Sequence, residues 1–596
     1  MDTLSKAALS QSPWSFAKVP AVEISTRQDV ECKMRDGTVL RADIYRPDDQ
    51  EDYPVLLMRT PYSKQVAQTQ GFLHPSQLAR FGYNVVVQDC RGTWRSDGDW
   101  YPFKHDVTDG ADAIAWAAKL PGGTGKVATY GFSYGGATQL LPMTVQDTRA
   151  DTMVPALTAS QYYREWMYKG GLLQLQLAQT WALGFANDQG LRKQDESLMS
   201  KVSEARSKLL NDAFKPPVKF LEGAFSELTP YYKEWLENET YNDYWKRWSI
   251  DEHYESFDLP ALHVAGWYDV FLEGNIENFI GIRNKSKSEY ARNNQKLIVG
   301  PWYHMSWHQK VGMIDFSDAA KNCVNDLMLM WFDKFLKGKS NQLDDEPPVC
   351  IFVMGENRWR FEDDWPVPRA KEHVLNLHSN GRANTMDGDG MLTEEPATEE
   401  PPDVYVYNPI RPIMSVGGRG CIDETFNLMG QYDQGSHHGF RNDVLYFKTP
   451  VLTSELEVTG KVELDLYIGS SAPDTDFIVR LVDLCPGRLI LNVVEGALRT
   501  RYRNSFEKPE FMKSGEVYHL KIDVGSTSYV FKPGHRIGLE ITSSSFPIYD
   551  RNSNSGKSQI DLQEIDYQIA TQHIFHDSRY PSKLTLPVIP RKGIGF

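Results

Sequence analysis

At 596 residues the chain is several times the size of an ordinary domain, so two or three domains around a large core are expected. A net charge of −15 with no basic block argues against nucleic acid or anionic membrane as partners, and no apolar run reaches the ~18 residues of a membrane span. Hydrophobic residues at 41% and charged residues at 24% suit a soluble globular protein, and the start, MDTLSKAALSQSPWSF, lacks the cationic and apolar parts of a secretory leader, so a cytoplasmic protein is expected.

Residues 1 to 25 show no period and are expected as an extended surface arm. From Val30, VECKMRDGTVLRADIYRP reads as two strands turned at Asp36-Gly37. YPVLLMRTPY (53–62) suits a buried strand ended by Pro61, SQLARFG a short helix closed by Gly82, and YNVVVQDCRG (83–92) a second buried strand. DVTDGADAIAWAAKL (106–120) has helical spacing and an acidic first turn, and Pro121-Gly122-Gly123 stops it. Strands alternating with helices at this pitch predict a parallel sheet with right-handed crossovers, whose strand ends collect on one edge. After the strand DTMVPALTAS, residues 161 to 250 lose β-branched runs and become rich in Trp, Tyr, Leu, Lys and Glu, which predicts a helical cap over that edge. DLPALHVAGWYDVF (258–271), FLEGNIENFIGIRN, QKLIVGPWYH (295–304) and AAKNCVNDLMLMWFDKFLKG resume the alternation, and KSNQLDDEPP reads as a linker. From 349 onward, short period-2 stretches such as HVLNLHS and LEVTGKVELDLYIG predict an all-β sandwich, a jelly roll. The six cysteines, Cys32, Cys90, Cys323, Cys350, Cys421 and Cys485, lack C-x-x-C spacing and read as reduced, mostly buried thiols without a zinc site.

The stretch VATYGFSYGGATQLL (127–141) places Ser133 in Gly-x-Ser-x-Gly between a β-branched run and a helix-compatible segment, the layout of a nucleophile elbow. The pattern also arises by chance in a chain with 44 glycines, so its context matters. A serine hydroxyl needs a base, and the base a carboxylate that orients it, in the chain order Ser, acid, His for this fold. Asp269 after ALHVAGWYD and His304 after LIVGPWYH satisfy that order. Asp269 could instead cap the following helix, with Asp258 as the fallback acid. His304 and His308 have i,i+4 spacing but no H-E-x-x-H glutamate, so no metal is expected, and His308 reads as a second-layer or surface residue. The backbone amide of Tyr134 is the expected oxyanion donor, and the phenol of Tyr62, after the third strand, a candidate second donor or else a packed aromatic.

Together, MRDGTVLRADIYRP, LLMRTPYSK, QDCRGTWRSDGDW, YGFSYGGATQ, PALHVAGWYDVF and IVGPWYHMSW, with IFVMGENRWR, DTDFIVRLVDLCPGR, GALRTRYR and FKPGHRIGLEITSSSFPIYDRNSNSG, resemble the cocaine esterase and X-prolyl dipeptidyl aminopeptidase group of serine hydrolases, the CocE/NonD type. The resemblance runs from about residue 26 to 590. It implies an α/β hydrolase, a mostly parallel sheet with helices on both faces, in two parts (1–159 and 252–345), an inserted helical cap (160–251) and a C-terminal all-β jelly roll (346–596). It also implies a triad of Ser133, Asp269 and His304 and an oxyanion pair of Tyr62 and the Tyr134 amide. The texture is that of the esterase branch: Gly135 and Gly136 supply no acid of the kind that α-amino acid ester hydrolases carry near the nucleophile, although Glu165 of the cap could serve. Tyr162, Tyr163, Trp166, Met167 and Trp181 are candidates for the acyl pocket, though many of them could be cap core. The expectation is hydrolysis of a small ester or amide with a bulky apolar or aromatic acyl group through an acyl-enzyme, without cofactor; a homodimer is left open. Alternatives are an aminopeptidase or α-amino acid ester hydrolase, an acyltransferase, and a non-catalytic carbohydrate-binding protein.

Overall fold

Apolar runs without alternation form the centre of the molecule. The computed structural model describes residues 12–14, 18–66, 71–145, 149–221, 225–305, 307–421 and 428–590. Ten strands make one sheet: β1 (Ile24–Lys33), β2 (Val39–Pro47), β3 (Tyr53–Thr60), β4 (Asn84–Asp89), β5 (Gly123–Phe132), β6 (Thr152–Ala156), β7 (Ala261–Tyr268), β8 (Gln295–Tyr303), β9 (Val349–Val353) and β10 (Arg358–Glu362). Their spatial order is β1-β2-β4-β3-β5-β6-β7-β8-β9-β10. Pairing is parallel from β4 through β9 and antiparallel at β1–β2, β2–β4 and β9–β10. Every residue of β4 and of β7 is buried, as expected of parallel strands covered on both faces. Helices α1 (Asp106–Ala117), α2 (Tyr134–Leu140), α5 (Leu272–Lys285) and α6 (Val324–Lys337) belong to this layer.

Between β6 and β7 the chain forms a cap. It opens with a π-helical turn (Tyr162–Met167) and a two-residue hairpin, then continues into α3 (Leu175–Lys193), α4 (Glu196–Ala213) and three shorter helices that end at Lys246. From Lys371 to Val588 the described residues are mostly β, with eleven strands in one hydrogen-bonded network and one short α-helix at Gly435–His438; the longest pairing joins Leu456–Ser470 to Tyr518–Phe531. Among the described residues no helix is long and apolar enough to cross a membrane.

Three local expectations change. The sandwich was expected from residue 346, but β9 and β10 join the hydrolase sheet, so the change of sheet falls between Glu362 and Lys371. The reason is legible in β9: VCIFV buries all five positions, which fits a core strand and not an alternating sandwich strand. The segment read as a linker is pinned, since Glu346 accepts the Trp14 indole at 3.0 Å and pairs with Lys296 at 2.8 Å. Trp14 itself is buried, edge-on to Trp359 and Phe361, so that part of the expected surface arm is anchored in the core; residues 1–11 and 15–17 lie outside the described residues.

The glycines of the elbow differ in need. A Cβ on Gly131, at φ 145°, would lie 3.0 Å from the Gly135 carbonyl oxygen, and one on Gly136 would lie 2.5 Å from the Cβ of Thr158. On Gly135 the nearest atom would be the Arg59 carbonyl oxygen at 3.7 Å, an ordinary contact. Gly136→Ala is therefore expected to lower stability by about 1–3 kcal/mol through overpacking, whereas Gly135→Ala should stay within about 1 kcal/mol of wild type. Urea unfolding of the two variants checks this, and equal losses would contradict it.

Candidate active site

Because β5, β6, β7 and β8 are successive parallel strands of the sheet, the residues that follow β5, β7 and β8 meet on one sheet edge. Ser133 follows β5 at φ 58° and ψ −125°, and its amide donates to the Ala156 carbonyl at 2.9 Å. Asp269 follows β7 and His304 follows β8. His304 Nδ1 lies 2.8 Å from Asp269 Oδ1, and its Nε2 lies 2.9 Å from Ser133 Oγ. All three side chains are buried. With the proton on Nδ1 donated to the carboxylate, Nε2 is free to accept from the serine hydroxyl. Asp258, the fallback acid, is exposed, as is His308, whose ring stacks on Tyr303.

Burial alone would push the His304 imidazole down. Cys421 and the Asp269 carboxylate act against it and carry the group up to about 10. Cys421 comes from the C-terminal part of the chain, and no motif signalled its position beside the base. Its neighbour Arg419 fixes that segment, pairing with Glu273 of α5 at 2.9 Å and donating to the carbonyls of Trp267 at 3.2 Å and Ser526 at 2.6 Å. Cys90, by contrast, is packed, and burial pushes its thiol up.

Tyr62 faces the nucleophile. Its phenolic oxygen accepts the Trp181 indole N–H at 3.0 Å, its ring stacks on Phe185 at 5.7 Å, and it lines the same cavity as Ser133. Burial pushes its pKa up, which keeps the hydroxyl protonated and able to donate. Tyr134 is the first residue of α2, so its amide has no intrahelical acceptor and is free to face an oxyanion. The phenol of Tyr134 points elsewhere: it donates to Asp106 at 2.5 Å and accepts from the Phe103 amide at 2.7 Å, and Asp106 pairs with buried Arg59 at 3.2 Å.

A cavity of about 230 Å³ opens over Ser133, His304 and Tyr62. Of the five cap candidates only Trp181 lines it. Tyr162 stacks on Phe103 at 3.9 Å, Tyr163 on Tyr168 at 5.0 Å, Trp166 packs on Phe271 at 4.4 Å, and Met167 is fully buried, so these four are cap core. Their density of aromatic contacts explains the misplacement: residues that build a cap read like residues that line a pocket. The wall is instead made by Phe132, Met305, Arg206 and one face of α3, namely Thr180, Trp181, Gly184, Phe185, Asn187 and Asp188. That face was findable, because 181, 184/185 and 188 are spaced as one helical stripe running on from Trp181. Glu165 does not line the cavity; its carboxylate accepts from the amides of Ser160 at 2.7 Å and Gln161 at 3.1 Å.

Two family models match the chain, the X-Pro dipeptidyl-peptidase (S15 family) model over residues 36–306 and the X-Pro dipeptidyl-peptidase C-terminal non-catalytic domain over residues 341–585. The second begins ahead of β9, so the recurrent sequence unit and the hydrogen-bonded sheet divide the chain at different points. The chain is 33% identical to a cocaine esterase of Rhodococcus sp. (strain MB1 Bresler) over 95% of this chain and 99% of that protein. Among solved structures, an aminopeptidase from a marine sediment Thaumarchaeota archaeon (22% identity, TM-score 0.81) covers 97% of this chain and 98% of its own. An α-amino acid ester hydrolase (24% identity, TM-score 0.81) covers 96% and 98%. The two structures share the fold across both the α/β and all-β parts. With identity to the esterase extending over nearly the full length of both proteins, the chain belongs to the S15 family of serine hydrolases, which unites X-Pro dipeptidyl-peptidases with cocaine esterase.

Proposed function

We propose that the chain is a serine esterase for small esters with a bulky apolar or aromatic acyl group. The observation that carries this reading is the hydrogen-bonded Ser133, His304 and Asp269 series opening on a cavity walled by Phe132, Trp181, Phe185 and Met305. Ser133 Oγ attacks the ester carbonyl as its proton passes to His304 Nε2, and Asp269 holds the imidazole and stabilises the imidazolium. The negative charge on the carbonyl oxygen is met by the Tyr62 hydroxyl and the Tyr134 amide. The Trp181 indole occupies one lone-pair side of the Tyr62 oxygen, which leaves the phenolic proton to face the reacting centre. His304 then protonates the departing alcohol, and water, activated by the same imidazole, releases the acid from the acyl-enzyme.

The cavity wall favours an ester over a dipeptidyl amide. A peptidase that recognises a free amino terminus needs an acid close to the scissile group, whereas Glu165 is committed to backbone amides and the wall carboxylate, Asp188, stands farther along α3. The small-molecule substrate and a reducing, cytoplasmic setting for the scattered thiols remain part of this reading.

Ser133→Ala is expected to lower kcat by at least about 10⁴-fold and to abolish labelling by a fluorophosphonate, while the thermal unfolding transition is kept; undiminished turnover would contradict the assignment. Tyr62→Phe should cost about 10² to 10³ in kcat with little change in KM, and near-wild-type turnover would return Tyr62 to packing. A base whose pKa is raised stays protonated to higher pH, so the acidic limb of kcat/KM should lie above the ordinary histidine value of about 6.5. Cys421→Ala should move that limb downward, because it removes one of the groups that raise His304. A pH–rate profile with its limb at or below the ordinary value would refute this.

A further inference from the structure

Asp188 is a charged wall residue that the mechanism above does not use. It sits on α3 seven residues beyond Trp181, the residue that holds the Tyr62 phenol. At 1.5 Å per residue that is about 10 Å along the helix axis, two turns along α3 from the residue that holds the Tyr62 phenol. Its side chain lines the same cavity as Ser133 and His304, and it has no ion pair among the described residues. The charged groups around it are few. Arg206 of α4 lies exposed at the mouth, His304 lies at the floor, and neutral Asn187 stands beside Asp188 on the cavity wall. Between floor and mouth the path is bordered by the rings of Trp181 and Phe185, surfaces that tolerate a cation.

We propose that Asp188 forms a cation subsite that selects esters carrying an ammonium group about 8–10 Å from the scissile carbonyl. The proposal rests on the esterase reading and names its substrate class. The distance excludes an α-amino group, which is only about 2.5 Å from its own carbonyl carbon and would sit against Ser133 and Tyr62. An extended linker of about eight single bonds reaches from the carbonyl to the carboxylate. Burial pushes Asp188 up to about 6 while Asn187 and Arg206 act in the opposite direction, so the carboxylate is mostly ionised at neutral pH. Its charge also reaches Tyr62, whose phenol it pushes further up; a bound ammonium offsets that charge and favours the oxyanion.

The test uses two esters identical except that one ends in trimethylammonium and the other in its neutral tert-butyl isostere, the quaternary nitrogen or the carbon that replaces it lying about eight bonds from the carbonyl carbon. Wild-type enzyme should prefer the cationic ester by about five- to tenfold in kcat/KM at low ionic strength, and the preference should shrink in about 0.5 M salt. Asp188→Asn should bring the ratio to about one. Arg206→Gln removes a competing cation and should raise the ratio above wild type, a change of opposite sign that damage to the fold would not produce. A ratio of about one in the wild type, or one unchanged by Asp188→Asn, overturns the subsite while leaving the esterase reading in place. If neither ester is hydrolysed, the esterase reading fails and the subsite with it.

Discussion

Ser133 is held at φ 58° and ψ −125°, a backbone conformation that costs a non-glycine residue on the order of 1–3 kcal/mol and persists only when its surroundings over-determine it. Those surroundings are specific. The Ser133 amide is tied to the end of β6, and the Gln139 side chain binds the carbonyls of Gly131 at 3.0 Å and Gly135 at 2.8 Å, clamping both sides of the turn. Tyr134 is fastened through Asp106 to Arg59 of β3, so the residue after the nucleophile is anchored in the strand that also leads to Tyr62. Strain at the nucleophile, the direction of the Tyr134 amide and the position of the phenol are thus set by one buried network.

The other two parts of the chain complete that edge. The cap supplies α3, which both walls the cavity and holds Tyr62 through Trp181. The all-β part supplies Cys421 beside the base, and it grips the cap through buried charge. Arg499 binds Asp476 at 2.8 and 2.9 Å and Asp550 at 3.0 and 3.1 Å, while Asp550 also accepts from the Leu173 amide of the cap at 2.8 Å. Removing one member of such a buried set typically costs about 3–5 kcal/mol, since it leaves a charge without a partner. The fit of cap to sandwich therefore has a strong electrostatic component as well as an apolar one.

The α/β alternation, the cap insertion and the order of Ser133, Asp269 and His304 were legible because strand texture, turn residues and chain order all agree there. Tyr62 was a candidate on its position after β3, and the structure adds the indole that orients it. What stayed hidden depended on contacts between distant segments. Cys421 reaches the base only because Arg419 bridges to α5, a pairing across about 146 positions of sequence that no local pattern encodes. The cap was misread for a different reason: aromatic density marks burial, and burial in a core and burial in a pocket wall look alike until the helix face is known.

The extension of the large sheet through β9 and β10 bears on how such chains can be cut and recombined. β9 is hydrogen-bonded to β8, while Met354, just past it, exchanges backbone hydrogen bonds with Ser528 and Val530 of the sandwich at 3.0 and 2.9 Å. A chimera joined within residues 339–348 would strip the catalytic sheet of two edge strands and leave them on a foreign partner. An exchange that respects the ladder has its crossover in the turn between Glu362 and Lys371, and it still has to preserve the backbone match at Met354. Evolutionary shuffling of the C-terminal part is constrained in the same way, so the two parts are expected to have diversified together as a single inherited unit.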